Sequence, residues 1–155
     1  MNTPLKILLA DDDTDDCLFF ENALKALQIP STLTIIHDGE QLMIYLFENV
    51  ENLPDVIFLD LNMPRKNGFE CLSEIKQNEK LKHLTVVVFT PPFKEDISYN
   101  QLTMEMLLKK GAYHYISKTA NMEDLKQSIN KALITLTEKE SIDEQEKNHD
   151  HYIKP

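Results

Sequence analysis

Val56-Ile57-Phe58-Leu59-Asp60 is a run of four apolar residues ending in a carboxylate. Such a run is far too short to span a bilayer. It suits a strand buried on both faces, as in a parallel sheet. Ile7-Leu8-Leu9-Ala10 and Val86-Val87-Val88-Phe89 have the same character, Tyr113 to Ile116 is a weaker copy, and Thr32 to His37 adds a β-branched candidate. Between these runs apolar residues recur at helical spacing. Phe20, Ala23, Leu24 and Leu27 share a face of a helix from about Asp15 to Gln28. Leu42, Met43, Leu46 and Phe47 do so after Gly39, and Phe69, Leu72 and Ile75 after Gly68. Met104, Leu107 and Leu108 precede Gly111, and Met122, Leu125, Ile129, Ala132, Leu133 and Leu136 mark the last helix. Strand and helix thus alternate five times, the pattern of an α/β parallel sheet covered by helices on both faces.

The three glycines punctuate this pattern at junctions, and Gly111 stands where the fourth helix should end in a left-handed cap. The chain of 155 residues suits one domain with a short extra segment. Its net charge of -10 disfavours nonspecific binding to nucleic acid or an anionic membrane. Cys17 and Cys71 read as reduced thiols of an intracellular protein, and the N-terminus shows no secretory signal. A soluble, cytoplasmic protein is expected. After about Thr137 apolar residues thin out and acids dominate. We read residues 1–137 as the domain and 138–155 as an acidic helical extension fraying into a solvated tail. His149 and His151 in that tail lack the further ligands a metal site needs.

In open parallel α/β sheets, ligands bind at the carboxyl ends of the strands. Here the first strand ends in Asp11-Asp12-Asp13, the third in Asp60, the fourth in Thr90 and the fifth in Ser117-Lys118. Clustered carboxylates raise one another's pKa unless a cation joins them. A few hard oxygen ligands beside a phosphate suit Mg²⁺. A lysine and a hydroxyl supply positive charge and a donor for a phosphoryl group, and a carboxylate can be the nucleophile. The edge therefore suggests Mg²⁺-assisted phosphoryl transfer to an aspartate. Singly, each residue has an ordinary reading: Asp12 or Asp13 as a helix cap, Thr90 as a strand end, Lys118 as a surface lysine. Their joint placement at one edge is what favours the chemical reading.

The stretches Lys6-Ile-Leu-Leu-Ala-Asp-Asp12, Val56-Ile-Phe-Leu-Asp-Leu-Asn-Met-Pro64 with Asn67-Gly68, Val87-Val-Phe-Thr90, and Gly111-Ala112 with Tyr115-Ile-Ser-Lys118 resemble the receiver domains of response regulators over residues 5 to 136. The resemblance implies a flavodoxin-like doubly wound five-stranded parallel sheet in the order 2-1-3-4-5. It implies Asp60 as the phosphoacceptor and Asp12 as a direct ligand of Mg²⁺ (or Mn²⁺), with Asp11 acting through water and the Asn62 backbone carbonyl completing the metal site. Lys118 would pair with the phosphoryl oxygens, and Thr90 and Tyr115 would shift together to alter the face of helix 4, strand 5 and helix 5. The implied donor is a sensor histidine kinase or a histidine phosphotransfer protein, and the implied target is a protein docked on that face. Homodimers through the same face are frequent in the family. Autophosphorylation from phosphohistidine and slow autodephosphorylation would be its only catalysis. The short acidic stretch after the last helix is too small for a DNA-binding output domain, so a single-domain regulator acting by docking or onward transfer is expected.

Two positions depart from the family pattern. Pro91, followed by Pro92, stands where a small residue usually offers a backbone N–H to the phosphoryl group, and proline has none. Thr119 follows Lys118 where proline is usual, so a trans bond is expected. The segment from Thr90 to Lys118 is also longer than typical, with the excess expected in Pro91 to Asp96 beside the signalling face. Among rivals, a haloacid-dehalogenase-type phosphatase would use Asp11 and Asp13 but lacks its later acidic pair and leaves Asp60 unexplained. An EF-hand beginning at Asp11 has Asp16 where glycine is needed and Asn22 where a bidentate acid is needed. A receiver-like binding module indifferent to phosphate is the remaining alternative.

Overall fold

The computed structural model describes residues 3–91 and 97–152, with the side chains at 97–100, 139 and 148–152 outside that description. The elements alternate as β1 Leu5–Ala10, α1 Thr14–Ala26, β2 Ser31–Ile36, α2 Gly39–Glu48, β3 Val56–Leu59, α3 Gly68–Gln77, β4 Val86–Thr90, α4 Ile97–Lys109, β5 His114–Ser117 and α5 Met122–Tyr152. The strands form one sheet in the order β2-β1-β3-β4-β5, and every pairing is parallel. This is the flavodoxin-like topology expected from the sequence, with strand ends shifted by a residue or two. The crossover after β2, which returns the chain to the far side of β1, places the carboxyl ends of β1 and β3 side by side.

Alternation along the central strands builds two cores. Leu8, Ala10, Ile57, Leu59, Val86 and Val88 face α2, α3 and the buried Leu107 of α4. Ile7, Leu9, Val56, Phe58, Val87 and Phe89 face α1 and α5. This two-sided burial is why those strands read as unbroken apolar runs. In the second core Phe20 of α1 packs edge-on against Phe58, ring centroids 4.9 Å apart, and against Phe89 at 5.5 Å. Cys17 and Cys71 are buried and unbridged, and burial pushes both thiols up to about 12, so they stay protonated.

The helix ends obey their sequence signals. Asp13, Asp38 and Asn67 cap α1, α2 and α3 by accepting from Asp16, Gln41 and Glu70 N–H groups, and Asn67 completes a capping box with Glu70. After α4, Gly111 N–H donates to the Leu108 carbonyl and Ala112 N–H to the Leu107 carbonyl, a Schellman arrangement. It requires the left-handed backbone that Gly111 adopts at φ 104°.

Three residues assigned to buried helix faces are turned outward: Phe47 of α2 and Met104 and Leu108 of α4 are each more than two-fifths exposed. On α4 the apolar residues surround the helix, so one row alone can face the sheet. Leu102 and Met106 are exposed beside them. Helix α5 continues past Thr137 to Tyr152, through a stretch of good helix formers without glycine or proline. Leu136 is buried, whereas every described side chain from Thr137 to Lys147 is exposed. The side chains of His149 and His151, and residues 92–96 of the lengthened connection, lie outside the described residues.

The Schellman cap gives a direct check. Gly111→Ala should lower the urea-unfolding free energy by about 1 kcal/mol or more, with an unchanged m-value, because alanine must adopt a left-handed conformation there. Wild-type stability in this variant would show that the cap is not needed.

Candidate functional site

Backbone hydrogen bonds carry the sheet ladder one residue past three strands and fix the positions just beyond their ends. Asp11 N–H donates to the Ile36 carbonyl, Asp60 N–H to Ala10 and Lys118 N–H to Thr90, each at 2.9 Å. These bonds bring Asp11, Asp60, Thr90 and Lys118 to one edge. Asp11 and Thr90 are wholly buried and Asp60 is 2% exposed, whereas Asp12 is exposed at the mouth.

Several contacts orient the buried carboxylates. Asp60 Oδ1 accepts from the Asn62 N–H at 3.2 Å and from the Thr90 hydroxyl at 3.4 Å. Asp11 Oδ1 accepts from the Asp13 N–H at 3.0 Å. The Asp11 carbonyl receives the Cys17 thiol at 3.4 Å and lies 3.1 Å from His37 Nδ1, which donates if it carries the proton. Two side chains from other elements therefore pin the acidic loop from below. The β3–α3 loop closes the opposite wall. Gly68 N–H donates to the Leu61 carbonyl, and a Cβ on Gly68 would lie 2.3 Å from the Asp60 carbonyl oxygen, so only glycine fits that approach.

The Lys118 side chain, 12% exposed, crosses the edge with its ammonium 5.4 Å from the Phe89 ring centroid. Its Nζ lies 2.7 Å from Asp11 Oδ2, 2.8 Å from Asp16 Oδ2 and 3.4 Å from Asp60 Oδ2. Burial pulls the lysine pKa down. The close contacts with the Asp11 and Asp16 carboxylates more than reverse this, so the net shift is upward and the ammonium stays charged. Burial pushes the Asp11 carboxyl up to about 6, against the pull of Lys118 and the Asp13 N–H. Asp11 Oδ2 accepts no well-formed hydrogen bond despite its closeness to Lys118; the contact is an ion pair by distance only.

Asp11, Asp12 and Asp60 each offer an oxygen within 4.8 Å of the others. That donor set, with a buried carboxylate oxygen lacking a hydrogen bond, fits a hard divalent cation. All carboxylates expected at the metal site are therefore together. Asn62 adds its N–H to Asp60, and Tyr115 on β5 packs against the α2–α3 core, its hydroxyl accepting from Ser117 at 3.3 Å. Pro91 is exposed beside Thr90, and the described residues include no cis peptide bond, so Lys118–Thr119 is trans as expected. Sequence reasoning missed Asp16. Its signal is faint but present: with Asp13 as the cap, Asp16 falls on the first turn of α1, at the helix end that meets the sheet edge.

The family model of the response regulator receiver domain matches residues 7–130. Response regulator Rcp1 of Synechocystis sp. is 37% identical over 131 residues, covering 80% of this chain and 83% of the relative. The nitrate/nitrite response regulator protein NarL of Escherichia coli is 32% identical over 83% of this chain but only 55% of its own length. Among solved structures, the Mn²⁺-bound form of Rcp1 superposes with TM-score 0.68 at 35% identity, covering 81% of this chain and 89% of that one. The phosphorylated cyanobacterial phytochrome response regulator RcpA does so with TM-score 0.67 at 33% identity, covering 82% and 89%. No helix of the described residues is long and apolar enough to cross a membrane.

The Asp11 shift has a stability consequence. Its folded pKa of about 6 lies above the ordinary 3.8. Between those values the folded state binds a proton that the unfolded chain does not. Asp11 therefore costs the metal-free protein stability as pH rises through about 6. Asp11→Asn should stabilise the metal-free protein by about 1–3 kcal/mol near pH 8, with the gain fading near pH 4. Urea unfolding in chelator at both pH values checks this; a gain independent of pH would contradict it.

Proposed function

The chain belongs to the response regulator receiver domain family, and on that premise we propose that Asp60 accepts a phosphoryl group from a histidine kinase or histidine phosphotransfer protein, with Mg²⁺ in the acidic cluster. The observation that carries the reading is the placement of Asp60: a buried carboxylate 3.4 Å from the Lys118 ammonium and 3.4 Å from the Thr90 hydroxyl, within one cluster with Asp11 and Asp12. The residues for the cation would be Asp12, Asp60 and the Asn62 carbonyl, with Asp11 acting through water. A bound cation would offset the negative charge that gathers as phosphate meets carboxylate.

The protein's own share of the chemistry is mostly positioning and electrostatics. The Asn62 N–H and Thr90 hydroxyl restrain rotation of the Asp60 carboxylate. One Asp60 oxygen attacks phosphorus in line with the leaving imidazole. The O–P bond forms as the N–P bond breaks, its electron pair staying on the imidazole nitrogen, which takes up a proton. Lys118 stabilises charge on the transferred oxygens. Hydrolysis returns the carboxylate when water attacks phosphorus and the acyl phosphate O–P bond breaks.

The bound phosphoryl group would attract the Thr90 hydroxyl now on Asp60, and movement of Thr90 would open the space beside it to Tyr115 on the neighbouring strand. Phosphorylation adds charge of roughly -1.5 to -2, enough to bias two nearby conformations. We read the face of α4, β5 and α5 as the docking surface for a cytoplasmic protein target. The exposed Leu102, Met104, Met106 and Leu108 support that reading. The intact cluster argues against a module indifferent to phosphate.

Incubation with acetyl phosphate and Mg²⁺ should add one phosphoryl group by intact mass, and Asp60→Asn should take none. Equal labelling of the two proteins would sink the assignment. Pro91→Ala should lengthen the phosphoryl lifetime roughly two- to tenfold by restoring a backbone donor. An unchanged lifetime would mean that the missing N–H has no consequence.

A further inference from the structure

The geometry points to Asp16 as a positioning residue for Lys118: its carboxylate draws the ammonium toward α1 and holds it back from Asp60. This inference rests on the reading of Asp60 as phosphoryl acceptor. Of the three carboxylates around Nζ, Asp11 and Asp16 stand at 2.7 and 2.8 Å, and Asp60 at 3.4 Å. Neither end of the Asp16–Lys118 contact is loosely placed. The Lys118 backbone is tied to Thr90, and its ammonium lies beside the Phe89 ring. The Asp16 backbone is tied to α1 by its N–H to Asp13 Oδ1 at 3.0 Å. Asp16 itself lies outside the cluster that fits a cation.

The consequence concerns how readily the site accepts an anionic donor. Lys118 must turn from carboxylates to phosphoryl oxygens as the transition state forms. Asp11 is buried and belongs to the edge whatever Lys118 does. Asp16 is 38% exposed at its side chain, so water can replace the lysine as its partner. The Asp16 contact therefore acts as a restraint that the incoming phosphoryl group has to overcome. Asp16 also adds a negative charge to a site that must admit a negatively charged substrate.

Asp16→Asn keeps the size and helical position of the side chain while removing its charge. At saturating Mg²⁺, its rate constant for phosphorylation by acetyl phosphate should exceed that of wild type by roughly threefold or more. Asp15→Asn, on the exposed side of the same turn, removes an equal charge and should stay within about twofold of wild type. Asp16→Glu should restore much of the restraint. The ¹⁵N-detected NMR signal of the Lys118 ammonium should shift in Asp16→Asn and not in Asp15→Asn, a response that a purely structural role for Asp16 would not give. An unchanged rate in Asp16→Asn overturns the proposal even if that signal moves, and so does equal acceleration by Asp15→Asn. Absence of phosphorylation in the wild type would instead overturn the Asp60 reading. The ammonium signal would then decide alone, and its failure to shift in Asp16→Asn would remove the Asp16–Lys118 contact as well.

Discussion

A buried ammonium among carboxylates organises this molecule's functional edge. Without Lys118, Asp11 and Asp60 would be two buried acids with no nearby cation among the described residues, an arrangement that costs far more than any surface charge. With it, the edge is still short of positive charge, since Asp11, Asp12, Asp16 and Asp60 surround one lysine. That deficit suits the edge to a divalent cation. It also explains why burial can push Asp11 up to about 6 although Lys118 stands 2.7 Å away. Desolvation of the carboxylate outweighs one shared partner.

The fold serves this edge at each level. Two-sided burial of β1, β3 and β4 makes their placement rigid, and the ladder bonds from Asp11, Asp60 and Lys118 extend that rigidity one residue beyond the strands. Phe20 packs on Phe58 and Phe89, and the Phe89 ring centroid in turn lies 5.4 Å from the Lys118 ammonium. The crossovers bring strands distant in sequence to one edge, so that Asp11 and Lys118 meet across more than a hundred residues.

Much of this was legible in the sequence, because the strands announce themselves as unbroken apolar runs that end in polar residues. Asp60, Thr90 and Lys118 could be assigned to one edge from strand ends alone. The Gly111 cap was readable for a similar reason: a glycine after a helical stripe has few other uses. Two features were not readable. Met104, Leu108 and Phe47 fit an apolar helical face by spacing, but spacing cannot say which of two adjacent rows meets the sheet. The role of Asp16 was hidden because it depends on where α1 begins, and that is set by the Asp13 cap to within one residue. A helix starting one residue later would turn Asp16 away from Lys118.

The central claim is that the phosphoryl group resides on Asp60, and the acyl phosphate bond allows it to be located chemically. Borohydride reduces an aspartyl phosphate to homoserine while leaving free carboxylates intact. After phosphorylation with acetyl phosphate and Mg²⁺, reduction and peptide mapping by mass spectrometry should find homoserine at position 60 alone. Homoserine at position 11 or 12, or none anywhere in a protein whose mass had risen, would contradict the account.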